Sequence, residues 1–202
     1  MIRSILFDLG NVLVPFEIDR GYAALSANGG LPVDEIAVRI RESGLYPAFE
    51  SGEFETTEFH ERFSRLLDLK ATPAEFREIW NSIFLPDGLT SEELILELKE
   101  RYRLVLLSNT NDLHFGWLSE RYPVLRHFDA YTLSYEVGAM KPSPKIYEAA
   151  VANAKCAPHE CFFTDDVLAY VEGARAYGID AEQFQGEAIL RGHLQQRGLL
   201  IG

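Results

Sequence analysis

Short apolar runs that each end abruptly in polar residues restrict the folds open to this chain more than any other feature. Ser4-Ile5-Leu6-Phe7 runs into Asp8 and Gly10, and Leu104-Val105-Leu106-Leu107 into Ser108-Asn109-Thr110. Ala130-Tyr131-Thr132-Leu133 runs into Ser134, and Cys161-Phe162-Phe163 into Thr164-Asp165-Asp166. Such a run is a buried strand with a polar loop at its carboxyl end. Helical patterns separate these strands. Thr90 to Tyr102 carries Leu94, Ile95 and Leu98 on one face, with Thr90 and Glu93 spaced as a capping box. Further on, Ser143 is placed to cap and Pro144 to open a helix whose apolar face holds Ile146, Ala149 and Ala150. Alternation of strand and helix implies a parallel sheet with helices on both faces, whose binding crevice lies beyond the carboxyl ends of the strands.

Residues 16–85 break this alternation, because they show helical periodicity with no buried strand between. Thr72-Pro73-Ala74-Glu75 has the form of a capped helix start ahead of Phe76, Ile79 and Trp80, and Phe59, Phe63, Leu66 and Leu67 fall on one stripe. The expected architecture is therefore a Rossmann-like α/β core from residues 1–15 and 86–202, interrupted by a small all-helical unit at 16–85. A chain of 202 residues, 47% of them hydrophobic, can bury such a core. Within the helical unit, Tyr46, Phe49 and Phe54 are expected in its core and the acidic run Glu50, Glu53, Glu55 and Glu58 on a solvated face. His114 and Trp117 are assigned to a partly buried helix face.

A net charge of −12 with no basic stripe argues against nucleic-acid binding. The acid at position 8 interrupts the first apolar run too early for a signal peptide or a membrane span, so the expectation is a cytoplasmic protein without membrane partners. Cys156 and Cys161 have no second Cys or His pair at metal-ligand spacing and are expected to be reduced and structural. Nothing marks an interface, and a monomer or a homodimer is equally compatible.

A carboxylate at the end of a buried strand is costly unless something uses its charge. Asp8 and the pair Asp165-Asp166 share one economical explanation, a divalent cation. Magnesium takes hard oxygen ligands, usually one or two carboxylates with water and phosphate oxygens. Lys141 and the hydroxyls of Ser108 and Thr110 would add a phosphate clamp.

Four segments, Phe7-Asp8-Leu9-Gly10-Asn11-Val12-Leu13, Leu107-Ser108-Asn109-Thr110, Met140-Lys141-Pro142-Ser143-Pro144 and Phe163-Thr164-Asp165-Asp166, match the haloacid dehalogenase-like pattern in order and in strand-end context. The chain thus resembles that superfamily over nearly its whole length, with 16–85 in the place of the helical cap. The resemblance implies a magnesium-dependent phosphatase acting on a small-molecule phosphate ester through an aspartyl-phosphate. Asp8 would be the nucleophile, and Ser108 and Asn109 would hold the phosphoryl oxygens. Lys141 would neutralise the transferring group, and Mg2+ would be held by Asp8, Asp165 and the backbone carbonyl of Gly10. Asp166 and Asn11 would support them.

Two departures from the family pattern matter. Most of its phosphatases carry at position 10 a second Asp that protonates the leaving oxygen; here it is Gly10. General acid–base catalysis contributes roughly 10²- to 10⁴-fold, so the loss favours esters whose leaving group needs little help, a sugar 1-phosphate among them. After Asp166, Val167-Leu168-Ala169-Tyr170 replace the polar residues of many relatives, which thins support for the metal. A 2-haloacid dehalogenase, which also lacks that second Asp, and a non-catalytic binding or regulatory protein are the alternatives.

Overall fold

Five parallel strands, β1 (Ser4–Phe7), β2 (Arg103–Ser108), β3 (Ala130–Leu133), β4 (Cys161–Asp165) and β5 (Asp180–Gln183), form one sheet in the computed structural model, which describes residues 1–200. Their order is β3-β2-β1-β4-β5. The chain therefore leaves the central strand β1 to build outward on one side and then on the other. A reversal of this kind opens a crevice at the carboxyl end of the strands where it occurs. Here that point is the end of β1, flanked in register by β2 and β4.

Between β1 and β2 lie five helices, α1 (Ile18–Gly29), α2 (Val33–Ser43), α3 (Leu45–Glu50), α4 (Thr56–Leu67) and α5 (Pro73–Asn81), followed by α6 (Glu92–Lys99). The first five bury a cluster of their own around Phe49, Phe59, Phe63, Phe76 and Trp80, with Phe49 stacked on Phe59 at 3.9 Å between ring centroids. Thr72 and Glu75 form the capping box of α5: Glu75 N–H donates to Thr72 Oγ1 at 3.3 Å and Thr72 N–H to Glu75 Oε2 at 2.8 Å. Where the chain enters and leaves this helical insert, Phe16 and Phe84 pair as an antiparallel bridge with their rings edge to face.

The remaining helices are α7 (Asp112–Arg121), α8 (Ser134–Val137), α9 (Pro144–Ala154), α10 (Leu168–Tyr177) and α11 (Glu187–Gln196). Because side chains alternate across a strand, the sheet feeds two cores. Ile5, Phe7, Leu104, Leu106 and Phe162 pack on one face with apolar residues of α6, α7 and α11. Leu6, Val105, Leu107 and Phe163 pack on the other with α9 and α10. The α/β expectation holds, with helices covering both faces.

One local expectation is corrected, and one strand lies outside the expected set. Ser91, not Thr90, caps α6, accepting from Leu94 N–H at 3.2 Å, while Thr90 Oγ1 donates to the Val12 carbonyl at 2.7 Å and ties α6 to the loop after β1. Strand β5 has no apolar run behind it: of Asp-Ala-Glu-Gln only Ala181 is buried, as suits an edge strand. Cys156 and Cys161 are free thiols. No helix among the described residues is long and apolar enough to cross a membrane.

Candidate active site

The ends of β1 and β4 carry three carboxylates to one point: Asp8, Asp165 and Asp166 each offer an oxygen, and these lie within 4.8 Å of one another. Lys141, from the loop between α8 and α9, reaches into the cluster. Its Nζ lies 2.8 Å from Asp8 Oδ1 and 2.5 Å from Asp165 Oδ2, and donates to the Leu107 carbonyl at 3.2 Å. The second oxygen of Asp165 accepts from Val167 N–H at 2.8 Å. Asp165 is fully buried and the Lys141 side chain nearly so. One ammonium thus faces a surplus of acid. Burial pushes the Asp8 carboxyl up to about 7, with Lys141 working against the shift and Asp165 adding to it. Burial also opposes the charged form of Lys141, but Asp8 and Asp165 outweigh it and raise its pKa. Burial, and then Asp165, raise Asp166, against a hydrogen bond from Asn11. Buried, hard-oxygen negative charge with too few cations is the donor set a divalent cation fits.

The other residues singled out from the sequence gather around this cluster. Ser108 ends β2 and is buried. Asn109 commits its side chain to the backbone of Lys141, accepting from its N–H at 2.7 Å and donating to its carbonyl at 3.1 Å. The Asn109 amide thereby fixes the loop that presents Lys141. Asn11 adopts a left-handed backbone (φ 52°) and accepts weakly from Phe16 N–H at 3.3 Å. At Gly10 an added Cβ would lie 2.7 Å from the Phe16 ring, so that ring fills the space an acid at this position would take.

At the ends of β1 and β2 is a small cavity of about 60 Å³, lined by Gly10, Phe16, Glu50, Ser108, Asn109 and His114 among others. A larger chamber of about 280 Å³ lies inside the helical insert, walled by Ile18, Leu25, Ile40, Ile79 and Trp80; Tyr46, Ile83 and His114 line both spaces. Tyr46 is thus partly a pocket residue, whereas Phe49 is core. His114 is 4% exposed; its Nδ1 lies 2.9 Å from Asn81 Oδ1. Asn81 donates its Nδ2 to the Arg77 carbonyl, so Nδ1 of His114 carries the proton, and burial holds the ring neutral with a pKa of about 3.

Glu50 corrects the reading of the acidic run. Glu53, Glu55 and Glu58 are exposed, but Glu50, at the end of α3, is only 7% exposed and faces the cavity. Its carboxyl is pushed up to about 7 by burial, against a hydrogen bond from Tyr46 one helical turn earlier and the charge of Lys141. The turn after α3 is pinned at Gly52 (φ 76°), where an added Cβ would run into the carbonyl oxygen of Tyr135 in α8. That contact sets the end of α3 against the core. The Tyr46–Glu50 spacing and the following Ser-Gly are the signals in the sequence that point to it.

With strand order, acid cluster and buried lysine in place, the family assignment is direct. The chain belongs to the haloacid dehalogenase-like hydrolases, whose model matches residues 2–178. Among its relatives, the D-ribitol-5-phosphate phosphatase of Bacteroides thetaiotaomicron is 29% identical over 193 residues, 93% of each chain. A phosphatase of Mycobacterium tuberculosis is 26% identical over 187 residues, 89% of this chain and 86% of that one. A solved HAD family enzyme of Bacteroides thetaiotaomicron, in complex with magnesium and inorganic phosphate, is 28% identical with a TM-score of 0.83, covering 91% of this chain and 94% of that chain. An L-2-haloacid dehalogenase at 22% identity and a TM-score of 0.62 shares the fold.

Proposed function

We propose that this hydrolase is a magnesium-dependent phosphatase for a small phosphate monoester of the sugar or polyol class, working through an aspartyl-phosphate on Asp8. The observation that carries the reading is the convergence of Asp8, Asp165 and Asp166 on one point with Lys141 bridging the first two. Asp8, Asp165 and the Gly10 carbonyl would hold Mg2+, with Asp166 and Asn11 in support. The ion, when bound, neutralises charge on the phosphoryl oxygens and on the carboxylates. Lys141 keeps Asp8 ionised and meets the transferring phosphoryl group. Ser108 donates to a phosphoryl oxygen, while Asn109 holds Lys141 in place. Asp8 attacks phosphorus, the alcohol departs, and water then cleaves the acyl phosphate. Residues 16–85 act as the cap over this centre. Paired carboxylates would repel a haloacid substrate in the absence of a cation, which weighs against dehalogenation. The phosphatase relatives support the reading, one of them named for D-ribitol 5-phosphate.

The test is phosphate release from p-nitrophenyl phosphate, acetyl phosphate, ribitol 5-phosphate, glucose 1-phosphate and glucose 6-phosphate, with magnesium or EDTA. Activity is expected to need magnesium and to vanish in Asp8→Asn. Release that survives EDTA or Asp8→Asn would overturn the mechanism, and halide release from 2-chloropropionate in EDTA would move the protein to the dehalogenases.

A further inference from the structure

We propose that Glu50 is the general acid–base residue of this enzyme, supplied by the helical insert in place of the carboxylate that position 10 lacks. The inference rests on the phosphatase reading and adds the proton path that reading leaves open. Its ground is geometric. The room for an acid at position 10 is taken by the Phe16 ring, and Glu50 lines the same small cavity as Gly10, Phe16, Ser108 and Asn109. A carboxyl that is 7% exposed and faces a cavity, on a helix end fixed by a glycine-only contact, is held there at a cost that packing alone does not require.

Every other ionisable group of the cavity lining and of the neighbouring acid cluster is committed or unsuited. Asp8 is the nucleophile, Asp165 is tied to Lys141 and to Val167 N–H, and Asp166 is bonded to Asn11. His114 is held neutral by burial, its Nδ1 proton engaged with Asn81. Tyr46 and Tyr170 are raised above the usual phenol range, so neither gives up its proton readily. Lys141 stays charged between two carboxylates. Glu50, near 7, exchanges a proton at neutral pH, where a general acid–base group is most effective.

In the first step Asp8 forms its bond to phosphorus as the ester P–O bond breaks, and the Glu50 carboxylic acid passes its proton to the departing alkoxide. In the second, the Glu50 carboxylate takes a proton from the attacking water as the bond between phosphorus and Asp8 breaks. Inorganic phosphate leaves and Glu50 is protonated again.

The experiment compares the leaving group. In Glu50→Gln, first-turnover release of ribitol from ribitol 5-phosphate is expected to fall roughly 10²- to 10⁴-fold. First-turnover release of p-nitrophenolate, which needs no proton, is expected to stay within about tenfold of wild type. Phosphorylated Glu50→Gln enzyme should accumulate, visible by intact mass. In wild type, kcat/KM for the alkyl ester should fall as pH rises above about 7, and that limb should be absent with p-nitrophenyl phosphate. The wild-type pH comparison does not depend on the variant folding. Equal first-turnover losses on both esters, no loss on ribitol 5-phosphate, or the same basic limb with both esters would overturn the inference while leaving the phosphatase intact. A wild-type enzyme with no magnesium- and Asp8-dependent release on any ester would instead remove the phosphatase reading itself.

Discussion

Glu50→Gln should stabilise the folded chain at alkaline pH even as it removes activity, and the size of the effect can be worked from the structure. A buried carboxyl held at about 7 instead of 4.5 corresponds to about 3 kcal/mol of differential stability between its two protonation states. The folded chain binds this proton more tightly than the unfolded one. Its contribution is therefore fully present below pH 4.5, declines as pH rises toward 7, and is gone above. Glutamine does not titrate, and its carbonyl can still accept the Tyr46 hydroxyl. Between pH 4.5 and 8 the wild type should lose about 3 kcal/mol more than the variant, because every other titrating group is common to both. For a chain of this size that is roughly 6–12 °C in the difference of Tm values. Thermal unfolding of the pair in EDTA, followed by circular dichroism across that range, measures it directly. Parallel Tm-against-pH curves would refute the reasoning, because they would mean that Glu50 is solvated and titrates normally.

Gly52→Ala puts a methyl group into the Tyr135 carbonyl at a left-handed φ; it should cost about 1–3 kcal/mol in urea denaturation and lower kcat/KM by moving the end of α3. Asn109→Ala removes both bonds to the Lys141 backbone, with an expected loss of about 1–3 kcal/mol by the same assay and a fall in kcat with alkyl and aryl esters alike. An Asn109→Ala enzyme impaired on only one ester class would point to a direct substrate contact instead.

The parts of the molecule legible in the sequence are those where local pattern and burial agree. Strands β1, β2 and β4 lie inside the sheet and carry almost wholly buried apolar runs, and the polar tips of the strands mark the site because the parallel topology puts all carboxyl ends on one side. Strand β5 was not legible, since an edge strand with one buried residue has no such run. The α6 cap falls one residue beyond the expected Thr90 because Thr90 and Ser91 are both competent, and the choice is made by the Val12 carbonyl, 78 positions away. Glu50 was hidden for a related reason. Its neighbours Glu53, Glu55 and Glu58 are solvated, and nothing in local charge spacing reveals that the turn at Gly52 presses its end of the helix against α8.

The segment that closes position 10 to an acid also carries one that lines the cavity beside it. Phe16 is held over Gly10 by its bridge to Phe84 at the base of the insert, and Glu50 reaches the cavity from the third helix of that insert. On the proposed mechanism, the core alone keeps the nucleophile, the metal ligands and Lys141, and these suffice for the first step, transfer of the phosphoryl group to Asp8, on esters with activated leaving groups. Hydrolysis of an unactivated alkyl phosphate needs the insert in place, because the proton for the leaving alcohol comes with it. With the acid on the helical insert, proton delivery depends on how the insert is seated against the core, and the contact of Gly52 with Tyr135 is one of those that set it.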